Sequence, residues 1–215
     1  MDSPISLLNP RGRFPSHRTI VVLGLYRGGT SMIAGALRSL GVFFGERFDP
    51  GHNHEDLEFQ GADAARIRDL VALRNQAHDV WGWKDPGSLF SFRDWRESLR
   101  NPYFVVVFRD VLAAAQTEIR TETFDDLFAA LRMKHEHTTA LIDAVDTATN
   151  AGDPMLLVSY ERALFDRARF VRELAAGLGL RATAQDVRRI AAWINPLKGY
   201  NDVPDAAAAD AAGAV

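Results

Sequence analysis

The chain has 215 residues, 47% of them apolar, with 25 Lys and Arg against 28 Asp and Glu for a formal net charge of −3. That length suits one full-sized domain with its own core, and the near-neutral balance argues against a nucleic-acid partner. Cysteine is absent, which excludes disulfides, zinc–thiolate sites and thiol catalysis.

Residues 1–18 read as a loose leader, with Asp2 near the start and prolines at positions 4 and 10. They lack the basic start and apolar run of a signal peptide. No stretch approaches the roughly 18–20 apolar residues of a membrane span, so a cytoplasmic protein is expected. Ile20-Val21-Val22-Leu23 is a short β-branched run closed by Gly24, the pattern of a strand buried on both faces. Ile33, Ala36, Leu37 and Leu40 then recur at helical spacing, with Gly41 as the stop. Val80-Trp81-Gly82-Trp83 is a weaker strand candidate, and Tyr103-Phe104-Val105-Val106-Val107-Phe108 a strong one. A long helix is expected over 125–149, with Leu127, Leu131, Leu141 and Val145 in phase. Met155-Leu156-Leu157-Val158 supplies another strand, and Phe170, Val171, Leu174 and Leu178 another helical stripe ended by Gly179. Residues 201–215 are mostly Ala and Asp and are expected to form a disordered tail. Alternation of strand and helix over 19–200 predicts one three-layer α/β domain, P-loop-like, with a central, mainly parallel sheet.

Gly24-Leu25-Tyr26-Arg27-Gly28-Gly29-Thr30-Ser31 joins the first of these strands to the first helix. Such a loop gathers backbone N–H groups and the positive end of a helix dipole around one anion. Its spacing fits the nucleotide-triphosphatase loop, but Thr30 stands where that loop has lysine. The lysine reaches the β- and γ-phosphates, so its loss weighs against ATP or GTP hydrolysis. Arg27 supplies a positive charge instead. Read on its own, the segment is also compatible with a plain strand-to-helix turn capped by Thr30 or Ser31.

Arg27-Gly28-Gly29-Thr30-Ser31 resembles the 5'-phosphosulfate loop of sulfotransferases that use PAPS (3'-phosphoadenosine 5'-phosphosulfate), with Gly28 where serine is common. In that family a strand ends in arginine, and a serine about eight residues later joins it at the 3'-phosphate. Here Arg109 follows the strand over 103–108, and Thr117 lies eight residues on. Arg109 stands at the carboxyl end of a parallel strand, where α/β sheets bind ligands, and a guanidinium grips phosphate with paired hydrogen bonds. Taken singly, Arg109 reads first as a surface ion pair with Asp110 or Asp85, and Thr117 as a helix threonine bonded to its own backbone.

Trp83-Lys84-Asp85-Pro86 is similar to a W-K-D-P segment of bacterial relatives. The resemblance implies that Lys84 meets the charge growing on the departing phosphate oxygen; the alternative is a solvated lysine paired with Asp85. The family's carbohydrate-modifying members use a glutamate after the first helix as base. His54-Glu55-Asp56-Leu57-Glu58-Phe59 occupies that stretch, with Glu55 preferred over Asp56 for its reach. The alternative is a set of acids favouring a nearby helix N-terminus. Val158-Ser159-Tyr160-Glu161 is similar to a late family segment read as structural, and Lys198-Gly199 to a late nucleotide contact. His52/His54 and His135/His137 lack a third ligand of metal-site type, and the resemblance implies no metal requirement.

The resemblance, spanning about 19–180, implies a cytoplasmic sulfotransferase with PAPS as donor and PAP as product. Its acceptor would be a hydroxyl or amine of a carbohydrate, lipid or small molecule, lined by the loops over 45–60 and around 125–137. Two rivals stand beside it. One is an atypical P-loop nucleotide or small-molecule kinase, which needs Mg-ATP; the other is a non-catalytic nucleotide-binding relative.

Overall fold

The computed structural model describes residues 2–48, 54–121, 123–196 and 199–200. Its strands are β1 (Ile5–Leu8), β2 (Arg18–Gly24), β3 (Val80–Lys84), β4 (Pro102–Phe108) and β5 (Met155–Ser159). They form one sheet in the order β1-β5-β4-β2-β3, parallel throughout except for β1. The helices are α1 (Thr30–Ser39), α2 (Ala64–Ala77), α3 (Phe92–Trp95), α4 (Val111–Arg120), α5 (Leu127–Asn150), α6 (Tyr160–Phe165), α7 (Arg167–Gly177) and α8 (Ala184–Trp193). The expected three-layer α/β domain is what forms.

Strand side chains alternate between faces, and the two cores divide accordingly. Ile20, Val22, Tyr103 and Val105 pack against Ile33 and Leu37 of α1, Phe170 and Leu174 of α7, and Ile190 of α8. Val21, Leu23, Phe104 and Val106 pack on the other face against Leu70, Trp83, Trp95 and Leu141. Every residue of β2 is buried, which explains why the sequence there is continuously apolar rather than alternating. Each fully buried side chain of this size contributes about 1.5–3 kcal/mol relative to exposure.

The N-terminal segment departs from the expected loose leader. Ile5–Leu8 pairs antiparallel with β5, Ile5 opposite Val158 and Leu8 opposite Met155. Only four residues long and half exposed, the strand carries too short a pattern to stand out. Helix α2 likewise gives little sign of itself in the sequence, because only Ile67, Leu70 and Val71 of its residues are buried. Asp63 caps it by accepting from the Arg66 amide at 2.8 Å. Helix α8 starts on a capping box made by Thr183 and Asp186. For α5 the extent agrees with expectation and the phase agrees in part: the buried face is Ala130, Lys134, His137, Leu141, Ala144 and Ala148, Val145 packs against the same core, and Leu127 is exposed. No helix among the described residues is long and apolar enough to cross a membrane. The stretch 201–215 lies outside the described residues.

Candidate active site

The carboxyl ends of β2, β3 and β4 open toward one edge of the sheet, and the segments that follow them supply the chemistry. After β2 the chain makes a tight turn in which the Gly28 amide donates to the Leu25 carbonyl at 2.8 Å. A Cβ on Gly28 would lie 2.7 Å from that carbonyl oxygen, so the glycine that departs from the family's serine has a local cause. The same bond occupies the Gly28 amide and leaves those of Gly29, Thr30 and Ser31 for an anion. Gly29 is the N-cap of α1 at φ +93, and no side chain caps the helix. Neither Thr30 nor Ser31 takes the capping role. Thr30 turns inward, its Cγ2 against Gly24. Uncapped N–H groups at a helix start form a ready anion site.

Arg109 approaches this loop from the end of β4. Its Nη1 donates to the Arg27 carbonyl at 2.5 Å, and its Nη2 lies 3.5 Å from the Thr117 hydroxyl. Thr117 also donates to the Ala113 carbonyl at 2.8 Å and accepts from Arg120 at 3.0 Å. Asp110 does not pair with Arg109: it caps α4 by accepting from the Ala113 amide at 2.7 Å. Among the described residues Arg109 has no ion-pair partner, which leaves its charge for a ligand. The guanidinium lies over the Tyr160 ring, 4.9 Å from its centroid. That ring also lies where a Cβ on Gly29 would sit. Tyr160 therefore braces both the glycine loop and Arg109.

Lys84, at the end of β3, reaches the start of α1. Its Nζ lies 3.2 Å from Ser31 Oγ and donates to Glu55 Oε1 at 2.6 Å. The lysine is buried; burial pushes its ammonium below the ordinary range, and the Glu55 carboxylate beside it pulls the other way. Asp85 does not replace Glu55 as the contact: it caps the following turn by accepting from the Gly87 amide at 2.9 Å, and burial raises its carboxyl. Tyr26 stands beside them, its phenol raised to about 12 by burial and then by Asp85, Glu55 and Glu118.

Glu55 and Asp56 part company. Glu55 faces Lys84, while Asp56 is buried in an ion pair with Arg74 at 2.8 Å. Glu58 shares that arginine, and a Cβ on Gly45 would meet the Asp56 carboxylate. Asp56 ties its segment to α2. Lys198 and His52 lie outside the described residues. On α5, His137 is buried and His135 exposed, so they do not share a face, and no group of three metal-ligating side chains gathers among the described residues.

His54 precedes Glu55 with a left-handed backbone, φ 70, and a buried ring whose Nδ1 faces Arg38 Nη1 at 2.7 Å. Arginine can only donate, so Nδ1 accepts and the ring is neutral. Burial, then Arg38 and Lys84, lowers its pKa to about 4. The unfolded chain therefore binds more protons than the folded one between about pH 6.5 and 4, and stability falls as pH drops through that window. Acidification should cost the wild type roughly 3 kcal/mol more than His54→Asn, whose asparagine tolerates the backbone. Buried Asp56 and Asp85 titrate in the opposite sense and are common to both proteins, so urea midpoints against pH isolate the histidine. Parallel pH profiles would remove it as the acid-sensitive group.

Among solved structures, the chain is similar to the sulfotransferase domain from the Synechococcus PCC 7002 olefin synthase, at TM-score 0.62 and 14% identity over 97% of this chain and 91% of that one. The sulfotransferase domain from the curacin biosynthetic pathway gives 0.63 and 12%, over 94% and 92%. Sulfotransferase STF9 from Mycobacterium avium gives 0.60 and 14%, over 84% and 68%. The fold is sulfotransferase-like. No protein-family model and no curated protein matches the chain. At this identity the sulfotransferase-like fold is what the likeness establishes; the chemistry rests on the geometry above.

Proposed function

We propose that the chain is a sulfotransferase that moves a sulfuryl group from PAPS to a hydroxyl or amine of a carbohydrate, lipid or small-molecule acceptor. The observation that carries this reading is the position of Arg109. It touches the anion loop through the Arg27 carbonyl and reaches Thr117 with its other terminal nitrogen. Two cationic donor sets so joined on one sheet edge suit a nucleotide phosphorylated at both ends of its ribose, which a nucleoside triphosphate is not.

In this reading Arg27 and the amides of Gly29, Thr30 and Ser31 hold the 5'-phosphosulfate, while Arg109 and Thr117 hold the 3'-phosphate. Glu55 accepts the proton of the attacking hydroxyl. The acceptor oxygen forms its bond to sulfur as the bond from sulfur to the bridging phosphate oxygen breaks, and the electron pair leaves with PAP. Lys84, already at Ser31 and Glu55, meets the charge on that leaving oxygen. Positioning and charge compensation supply most of the rate. Lys198 remains a candidate nucleotide contact.

The test is thermal denaturation with PAP, without metal, against Mg-ATP, using Arg109→Ala as control. PAP at about 100 times its Kd adds about 2.7 kcal/mol, a shift of roughly 5–10 °C for a chain of this size. The variant should lose most of it. Stabilisation by Mg-ATP alone, with Arg109→Ala behaving as wild type, would reject the assignment in favour of a kinase. PAP binding with no turnover on any acceptor would point to a non-catalytic relative.

A further inference from the structure

Directly beneath the anion loop lies a charged cluster that the proposed reaction does not use. Lys134 of α5 has no exposed surface. Its Nζ donates to the Tyr26 carbonyl at 2.7 Å and to Glu118 Oε1 at 2.6 Å. The other oxygen of Glu118, itself buried on α4, lies 3.5 Å from Arg27 Nε. Lysine is almost never fully buried unless paired, and taking an ammonium out of water is costly even then. Burial lowers the Lys134 pKa, Glu118 opposes that shift, and Arg27 and Arg109 add to it. A hydrophobic residue at this point of the helix would pack without such a cost.

What the lysine accomplishes follows from peptide geometry. The carbonyl oxygen and amide hydrogen of a trans peptide point to opposite sides, and the described residues contain no cis bonds. With its carbonyl held toward α5 by Lys134, the Tyr26–Arg27 peptide turns the Arg27 amide the other way. Arg109 fixes the next carbonyl, that of Arg27, in the same manner. An anion cradle needs its amides turned in and its carbonyls turned out; Lys134 holds the Tyr26 carbonyl out, whereas the amide behind the Arg27 carbonyl, that of Gly28, is spent on Leu25. Arg27 has φ 57, a conformation uncommon for residues other than glycine that persists only where the surroundings impose it. Glu118, meanwhile, engages Nε of Arg27, and neither terminal nitrogen has a partner among the described residues.

We infer that Lys134 is a positioning residue for the anion loop: with Glu118 as its counter-ion, it fixes the Tyr26–Arg27 peptide and the Arg27 guanidinium in the orientation that receives the donor's 5'-phosphosulfate. This inference rests on the proposed function.

The experiment compares two ligands by calorimetric titration, PAP and adenosine 3'-monophosphate, which lacks the 5'-group. Removing Lys134 alone would strand a buried carboxylate and endanger folding, so the variant is the pair Lys134→Met with Glu118→Gln. A melting curve checks that it folds. Loss of a charge-assisted orientation should weaken PAP by about tenfold or more, while the 3'-monophosphate stays within about threefold. A companion pair, Lys134→Gln with Glu118→Gln, keeps an amide donor beneath the loop and is read by the same ratio if methionine is not tolerated. Its PAP loss should be the smaller of the two. Equal weakening of both ligands would mean general damage, and wild-type affinity for PAP would mean packing only; either result overturns the inference while leaving the proposed function intact. A wild type that binds neither ligand removes the proposed function itself, and the role of Lys134 with it.

Discussion

Replacing Glu55 with glutamine should lower kcat by about 10²–10⁴-fold, the usual contribution of a positioned general base, while PAP affinity changes little. Glutamine keeps the shape of the side chain and can still accept from Lys84, which lies 2.6 Å from Glu55 Oε1 in the wild type. It cannot take a proton. The contrast is Asp56→Asn, one residue on. Asp56 is held by Arg74 in a buried pair, so its loss should appear in the melting temperature and not in turnover per folded molecule. Steady-state rates with saturating PAPS, normalised to folded protein, separate the two. If Glu55→Gln turns over within about threefold of wild type, the base assignment fails. If Asp56→Asn alone abolishes turnover without unfolding, the roles of the two carboxylates are reversed.

Gly29→Ala should be damaging on two counts. At φ +93 a side chain costs about 1–2 kcal/mol for its handedness alone. The added Cβ would also run into the Tyr160 ring, and forcing a methyl into packed space costs about 1–3 kcal/mol more. Gly41 is the control. Its φ is +86 and nothing lies within 4 Å of the added Cβ, so Gly41→Ala should show the conformational cost alone. For a chain of this size the Gly29 variant should melt roughly 5–15 °C below wild type and the control roughly 2–8 °C below. The difference reaches function through Tyr160, which carries Arg109 on its face. Displacing the ring moves the guanidinium and slackens its hold on the Arg27 carbonyl. PAP affinity should therefore fall by about tenfold or more in Gly29→Ala and stay near wild type in Gly41→Ala. Equal melting temperatures for the two variants would show that the ring yields at no cost.

The central strands were readable because each is a continuous apolar run, a pattern that little besides a buried strand produces where helices alternate with it. Ile20 to Leu23 is buried on both faces, as that pattern demands. The edge strand Ile5–Leu8 offers half the signal, since only Ile5 among its residues is fully buried. Arg27 drew attention as the charge inside a glycine-rich turn, and Arg109 as an arginine at the carboxyl end of a parallel strand. Their meeting through a backbone carbonyl is a tertiary fact that no spacing rule contains. Lys134 and Glu118 are harder still. On a helix, charged residues read as the solvated face, and here they lie on the buried one; the apolar stripe expected along α5 meets the core at Leu141 and Val145 and misses it at Leu127. Glu55 and Asp56 are adjacent and chemically alike; only the fold, by sending one to Lys84 and the other to Arg74, tells them apart.

The edge strand has a practical consequence for anyone handling this protein. Ile5–Leu8 occupies the outer hydrogen-bonding row of β5, and Asn9 ties the same stretch to the Thr149 and Asp153 carbonyls at 3.2 Å. Trimming the first ten or so residues as dispensable would leave Met155–Ser159 as an unprotected, largely hydrophobic rim, the kind of surface that templates strand-to-strand aggregation.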